Sequence, residues 1–135
     1  MALQQADLTD QIINVYYNVY YTVYNALGYG FLEKVYETAM FQEFERRGFR
    51  VESQRQIQVY FSGKLVGDYY ADLVVENRVV LEIKAAEAMH DAFVAQLQNY
   101  PRATPCEIGF VFNFGKKPEF ERRYFSNRRK IHLQS

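Results

Sequence analysis

The chain's 135 residues suit one domain, 1–135, and an apolar content of 49% supplies a core, which excludes a disordered segment. Sixteen basic and sixteen acidic residues cancel, which argues against a surface that grips nucleic acid over its whole extent. A single cysteine, Cys106, excludes an intrachain disulfide and a cysteine-rich zinc cluster. No apolar run approaches the ~20 residues of a membrane helix, so no membrane partner is expected. The opening MALQQADLTDQ lacks the basic and apolar regions of a signal peptide, so a cytoplasmic location is expected.

In chain order, DLTDQIINVYYNVYYTVYNALG carries Val15, Val19 and Val23 at intervals of four, with Tyr16, Tyr20 and Tyr24 beside them. This predicts a helix with a wide apolar face, capped by Asp7 or Thr9 and ended by Gly28. Valine and tyrosine are mediocre helix formers, so packing must hold it, with the tyrosine stripe in the core. After Gly28-Tyr29-Gly30, a second helix is predicted over FLEKVYETAMFQEFERRG, with Leu32, Val35, Tyr36, Ala39, Met40 and Phe44 as its stripe and Gly48 as its stop. The period then changes. RVESQRQIQVYF, LVGDYYADLVV and VVLEIKAA, separated by Ser62-Gly63-Lys64 and Glu76-Asn77-Arg78, predict an antiparallel meander. AEAMHDAFVAQLQNYPRA predicts a helix that Pro101 helps terminate, and CEIGFVFNFG a buried strand. KPEFERRYFSN is ambiguous, with room for a last short strand. The order gives an α/β or α+β arrangement around one sheet.

The chemistry concentrates in ADLVVENRVVLEIKA. Its strands are apolar on both faces, as in sheets covered on both sides, yet they carry Asp72, Glu82 and Lys84. A buried charge is costly unless it is paired or binds metal. Glu82 and Lys84, two apart, share a face. A two-residue loop at Asn77-Arg78 would set Asp72 against Ile83. A three-residue loop over 76–78 sets Asp72 opposite Glu82, and Asn77 tolerates the left-handed backbone such loops use. Paired carboxylates suit Mg²⁺ or Mn²⁺, with Lys84 orienting water or stabilising charge on phosphorus. Residue types alone leave two readings open: a metal centre, or a buried salt bridge between Lys84 and one carboxylate.

Around these residues stand Gly30-Phe31-Leu32-Glu33-Lys34-Val35-Tyr36, then YADLVV, VVLEIKA, AQLQNY and GFVFNFG. In order and spacing they resemble the GxxExxY family of the PD-(D/E)XK nuclease superfamily over roughly residues 22 to 125. The resemblance implies a restriction-endonuclease-like α/β core, a mixed central sheet with helices on both faces. It implies that Asp72 and the Glu82/Lys84 pair form the D…ExK site and that Glu33 is an additional metal carboxylate. It further implies that Gln96 and Tyr100 match a QxxxY element contacting phosphate or substrate. Such a protein hydrolyses nucleic-acid phosphodiesters with Mg²⁺ or Mn²⁺, on DNA more than RNA. One departure stands out. Where family members often carry a histidine, in a VHxxLGxG context, this chain has Tyr24, so any role of that histidine is lost or altered. Tyr36 has a bland reading as a core residue, and Gln96 one as a bridge to the sheet.

Other features compete. Lys116, Lys117, Arg122, Arg123, Arg128, Arg129 and Lys130 outweigh Glu119 and Glu121 near the C-terminus. They form either a phosphate-binding patch or a solvated tail. His90 and His132 lack a serine or cysteine elbow to serve, and Cys106 reads as a small apolar filler. The alternative functions are a catalytically silent nuclease-fold module that binds nucleic acid or a protein, and a small self-associating structural protein. An exposed part of the tyrosine stripe would serve a homodimer interface or stack on bases.

Overall fold

The computed structural model describes residues 2–102 and 104–125, with side chains from 11 to 99 and from 104 to 125. Arg128, Arg129, Lys130 and His132 lie outside the described residues.

Helix α1 (Ala2–Leu27) starts ahead of the expected caps at Asp7 and Thr9. It ends at Gly28, whose left-handed backbone (φ 69°) turns its N–H onto the Tyr24 carbonyl at 2.8 Å. Its tyrosines pack inward for a metrical reason. A helix advances about 6 Å in four residues, and a strand advances about 6.6 Å in two. Tyr16, Tyr20 and Tyr24 therefore keep step with Phe110, Phe112 and Phe114 of strand β4 (Ile108–Phe114), stacking at centroid distances of 5.5, 4.5 and 6.0 Å. The expected core stripe is thus found, and its composition follows from this ladder of rings.

Helix α2 (Glu33–Arg46) begins later than expected, behind an extended Leu32 that makes no side-chain cap. This corrects the predicted stripe: Leu32 and Val35 are 80% and 39% exposed, while Tyr36, Met40 and Phe44 are buried. Because Leu32 precedes the helix, the buried face centres on Tyr36, Glu37, Met40 and Phe44. At the far end Arg46 and Arg47 donate to Glu43 and hold its carboxyl down at about 2.

Strands β1 (Val51–Phe61), β2 (Lys64–Val75), β3 (Val79–Lys84), β4 and β5 (Pro118–Tyr124) form one sheet in the order β1-β2-β3-β4-β5. The ambiguous C-terminal segment is thus a strand. All neighbours are antiparallel except β3 and β4, which run parallel with α3 (Asp91–Arg102) between them in the chain. The sheet is therefore mixed, as expected. Helices α1 and α2 cover one face through Leu73, Val75, Leu81, Ile83 and the phenylalanines of β4. On the other face Phe93 and Leu97 of α3 pack with Val74, Val80 and Val111. Buried Cys106 joins this second core, in keeping with an apolar filler. Helix α3 starts at Asp91 rather than near Ala86, because Asn113 in β4 takes both the N–H and the carbonyl of Ala86 in hydrogen bonds of 2.8 and 3.1 Å. No described helix is long and apolar enough to cross a membrane.

Tyr36, at the end of the segment 30–36, has a structural role. Its ring stacks on Phe114 at 4.2 Å. Its hydroxyl donates to the Gly28 carbonyl at 2.8 Å and accepts the Phe31 N–H at 3.1 Å. One side chain thus ties both ends of the α1–α2 turn to the core. Tyr36→Phe is expected to cost about 1–3 kcal/mol by leaving these main-chain groups without that partner. Urea unfolding measures it; a change within 0.5 kcal/mol, the ordinary surface-substitution range, would rule the clamp out.

Candidate functional site

The β2–β3 loop covers Glu76-Asn77-Arg78, with Glu76 and Asn77 at φ 55° and 50°. The flanking pairs are Val75↔Val79, Val74↔Val80 and Leu73↔Leu81. This is the three-residue loop, and one further step along the register sets Asp72 opposite Glu82. There the ladder of backbone bonds gives way to side chains. The Asp72 N–H donates to Glu82 Oε2 at 3.1 Å, and the Ile83 N–H donates to Asp72 Oδ2 at 2.7 Å. Each carboxylate is held by the main chain of the other strand's segment.

The change of bonding coincides with a change of face. Residues two apart in a strand normally point the same way. Yet Leu73 packs with α1 and α2, whereas Ala71 packs with Leu97 of α3. The reversal falls on Asp72. Across from it in β1, Gln54 has a left-handed backbone (φ 54°) between the pairs Ser53↔Leu73 and Arg55↔Ala71.

Glu82 is only 3% exposed. Lys84, two residues on, places its ammonium 5.0 Å from the centre of the Phe93 ring. Burial pushes the Asp72 carboxyl above its ordinary value. The Ile83 N–H pulls it down, the negative Glu37 pushes it up, and the Gln54 amide and Lys84 pull it down. Glu37 is the residue that the sequence reading missed. It sits on the buried face of α2, 6% exposed, and accepts from Lys34 at 2.8 Å, Ser53 at 3.1 Å and Gln54 at 2.9 Å. Its one sequence signal is its place on the Tyr36–Met40–Phe44 face.

The other candidates are placed as follows. Glu33, the first residue of α2, is exposed, one turn before Glu37 and on the same side. Gln96 is exposed on α3, three residues beyond Phe93. Tyr100 belongs to the same helix, and its side chain lies outside the described residues. Tyr24 donates its hydroxyl to the Gly115 carbonyl at 2.6 Å.

Among the described residues no three His, Cys, Asp or Glu side chains form a ready cluster for a metal ion. The donor set nonetheless fits a hard cation. Two carboxylates are pinned at the end of a strand pair, and a third acid, Glu37, raises the cost of the charge on Asp72. Mg²⁺ takes one or two protein carboxylates and completes its shell with water and phosphate oxygens.

A sequence profile described as the PD-(D/E)XK nuclease superfamily matches residues 6–124. The chain belongs to that superfamily. Among solved structures, this PD-(D/E)XK chain is similar to one titled "Crystal structure of SSO0001", with a TM-score of 0.55 and 17% identity over 68% of this chain. The match covers 50% of that chain, and the likeness is one of fold. Comparison with curated proteins gives no match.

Proposed function

We propose that this PD-(D/E)XK chain is a metal-dependent nuclease of the GxxExxY branch that hydrolyses DNA phosphodiesters, RNA being the less favoured substrate. The observation that carries the reading is the reciprocal pinning of Asp72 and Glu82 at the end of the β2–β3 ladder. A carboxylate pair held by main-chain donors is already oriented, so binding a cation costs little ordering. Asp72 and Glu82 would hold Mg²⁺ or Mn²⁺, with α2 contributing an acid from Glu33 or Glu37. Bound there, the metal supplies a Lewis acid for a phosphate oxygen and a water of lowered pKa.

The chain's own groups do the rest. Lys84 holds positive charge beside the carboxylates, where it orients the attacking water and stabilises negative charge on the phosphorus centre. By their resemblance to a QxxxY element, Gln96 and Tyr100 of α3 would serve the backbone of the substrate. The exposed Lys116, Lys117 and Arg122 supply cations for flanking phosphates. Sequence or shape selectivity would come from a homodimer or a partner.

The test is direct. Purified protein is incubated with Mg²⁺ or Mn²⁺ and plasmid, linear duplex, single-stranded DNA or RNA. Cleavage should vanish with chelator and in Glu82→Ala. If every substrate survives while the cation binds, the chain is a silent nuclease-fold binding module.

A further inference from the structure

Four non-glycine described residues have positive φ, and three of them (Ser62, Glu76 and Asn77) lie in hairpin turns. The fourth, Gln54, lies inside β1. A left-handed residue with a Cβ costs roughly 1–2 kcal/mol, so something must hold it there. The backbone kink has a visible result. It brings Ser53 to Glu37 on the α2 side while Ile57 packs on the α3 side. It also delivers the Gln54 amide between two acids. Nε2 donates to Glu37 Oε1 at 2.9 Å and to Asp72 Oδ1 at 3.3 Å. The NH₂ group of glutamine has two hydrogens, one for each carboxylate. It is neutral, so it relieves like-charge repulsion without competing for a cation.

Resting on the nuclease reading, we propose that Gln54 is a positioning residue that couples Glu37 of α2 to Asp72 of β2 and presets the Asp72 carboxylate for the cation. Asp72 then has one oxygen held by the Ile83 N–H and the other by the Gln54 amide. Its plane is fixed from both sides. Glu37 lends negative charge to the site through this bridge while remaining inside the helix–sheet contact. Partners that orient a metal's carboxylates are worth about 10–100-fold in metal affinity.

Glycine separates the side chain from the backbone, because it adopts φ 54° without strain. Gln54→Gly and Gln54→Ala are compared, each alone and combined with Glu37→Gln. Two readouts are used: thermal melts of the metal-free protein and Mn²⁺ titration. Gln54→Gly should weaken Mn²⁺ binding about 10-fold while remaining folded. Gln54→Ala should match it in Mn²⁺ affinity and melt lower, since alanine keeps the strain. In the metal-free melts, Gln54→Gly should change the midpoint less in the Glu37→Gln background than in the wild type. Additive midpoints overturn the coupling, and wild-type Mn²⁺ affinity in Gln54→Gly overturns the presetting. A wild-type protein that binds no Mn²⁺ overturns the nuclease reading and the presetting with it, while the metal-free melts still decide the Gln54–Glu37 link.

Discussion

Asp72→Asn is expected to raise the melting midpoint at pH 7 by a few degrees and to lower metal-dependent cleavage by at least about 100-fold. Both effects have one cause. Burial and Glu37 hold the Asp72 carboxyl above its ordinary value. A group held that way binds its proton more tightly in the folded chain than in the unfolded one. It therefore favours folding fully below the unfolded value of about 3.8, and that advantage is lost as pH rises through the higher folded value. Asparagine stays neutral and keeps one oxygen to accept the Ile83 N–H, so it escapes this loss while giving up the weaker bond from the Gln54 amide at 3.3 Å. The stability gap between variant and wild type should open above roughly pH 4 and stay open at pH 7. Saturating Mn²⁺ should close it from the other side by stabilising only the wild type. Melts at pH 3 and pH 7, with and without Mn²⁺, measure all three quantities. A variant that is less stable than the wild type at pH 7 would show that the charge on Asp72 supports the fold rather than burdening it.

Lys84→Gln should lower kcat by about 10²–10³-fold while shifting Mn²⁺ affinity by less than about 10-fold. The ammonium lies over Phe93 on the α3 side, on the same face of β3 as Glu82. Glutamine is one atom shorter, keeps a polar end and removes the charge. If the lysine acts on the reacting groups, the loss appears in kcat at saturating metal. If it serves only to neutralise the two acids, metal affinity rises or falls with kcat, and the catalytic role is lost. Single-turnover cleavage alongside calorimetric Mn²⁺ titration separates these outcomes.

The β2–β3 hairpin was legible from sequence because its information is local. Asn77 permits a left-handed turn, and once the loop has three residues the register follows to Asp72 and Glu82. The tyrosine helix was legible in outline, but its partner was not: the match of Tyr16, Tyr20 and Tyr24 to the phenylalanines of β4 joins residues that lie far apart in sequence. Glu37 was missed for the same reason. In the chain it looks like half of an ordinary helical pair with Lys34, and only the arrival of Ser53 and Gln54 from β1 encloses it. The delayed start of α3 is another long-range effect, since the side chain that holds Ala86 belongs to Asn113. Leu32 misled because hydrophobic periodicity counts residues and does not see that the helix begins one residue later.

The last rung between β2 and β3 is made of carboxylate oxygens instead of carbonyls. Strand cohesion and ligand availability are thus two uses of the same atoms. An occupant that draws Asp72 Oδ2 or Glu82 Oε2 towards itself loosens a main-chain amide, and a parting of the strands frees an acid. The β2–β3 pair therefore ends on a rung that its own side chains make, and the amide protons of Asp72 and Ile83 are natural reporters of what those carboxylates hold.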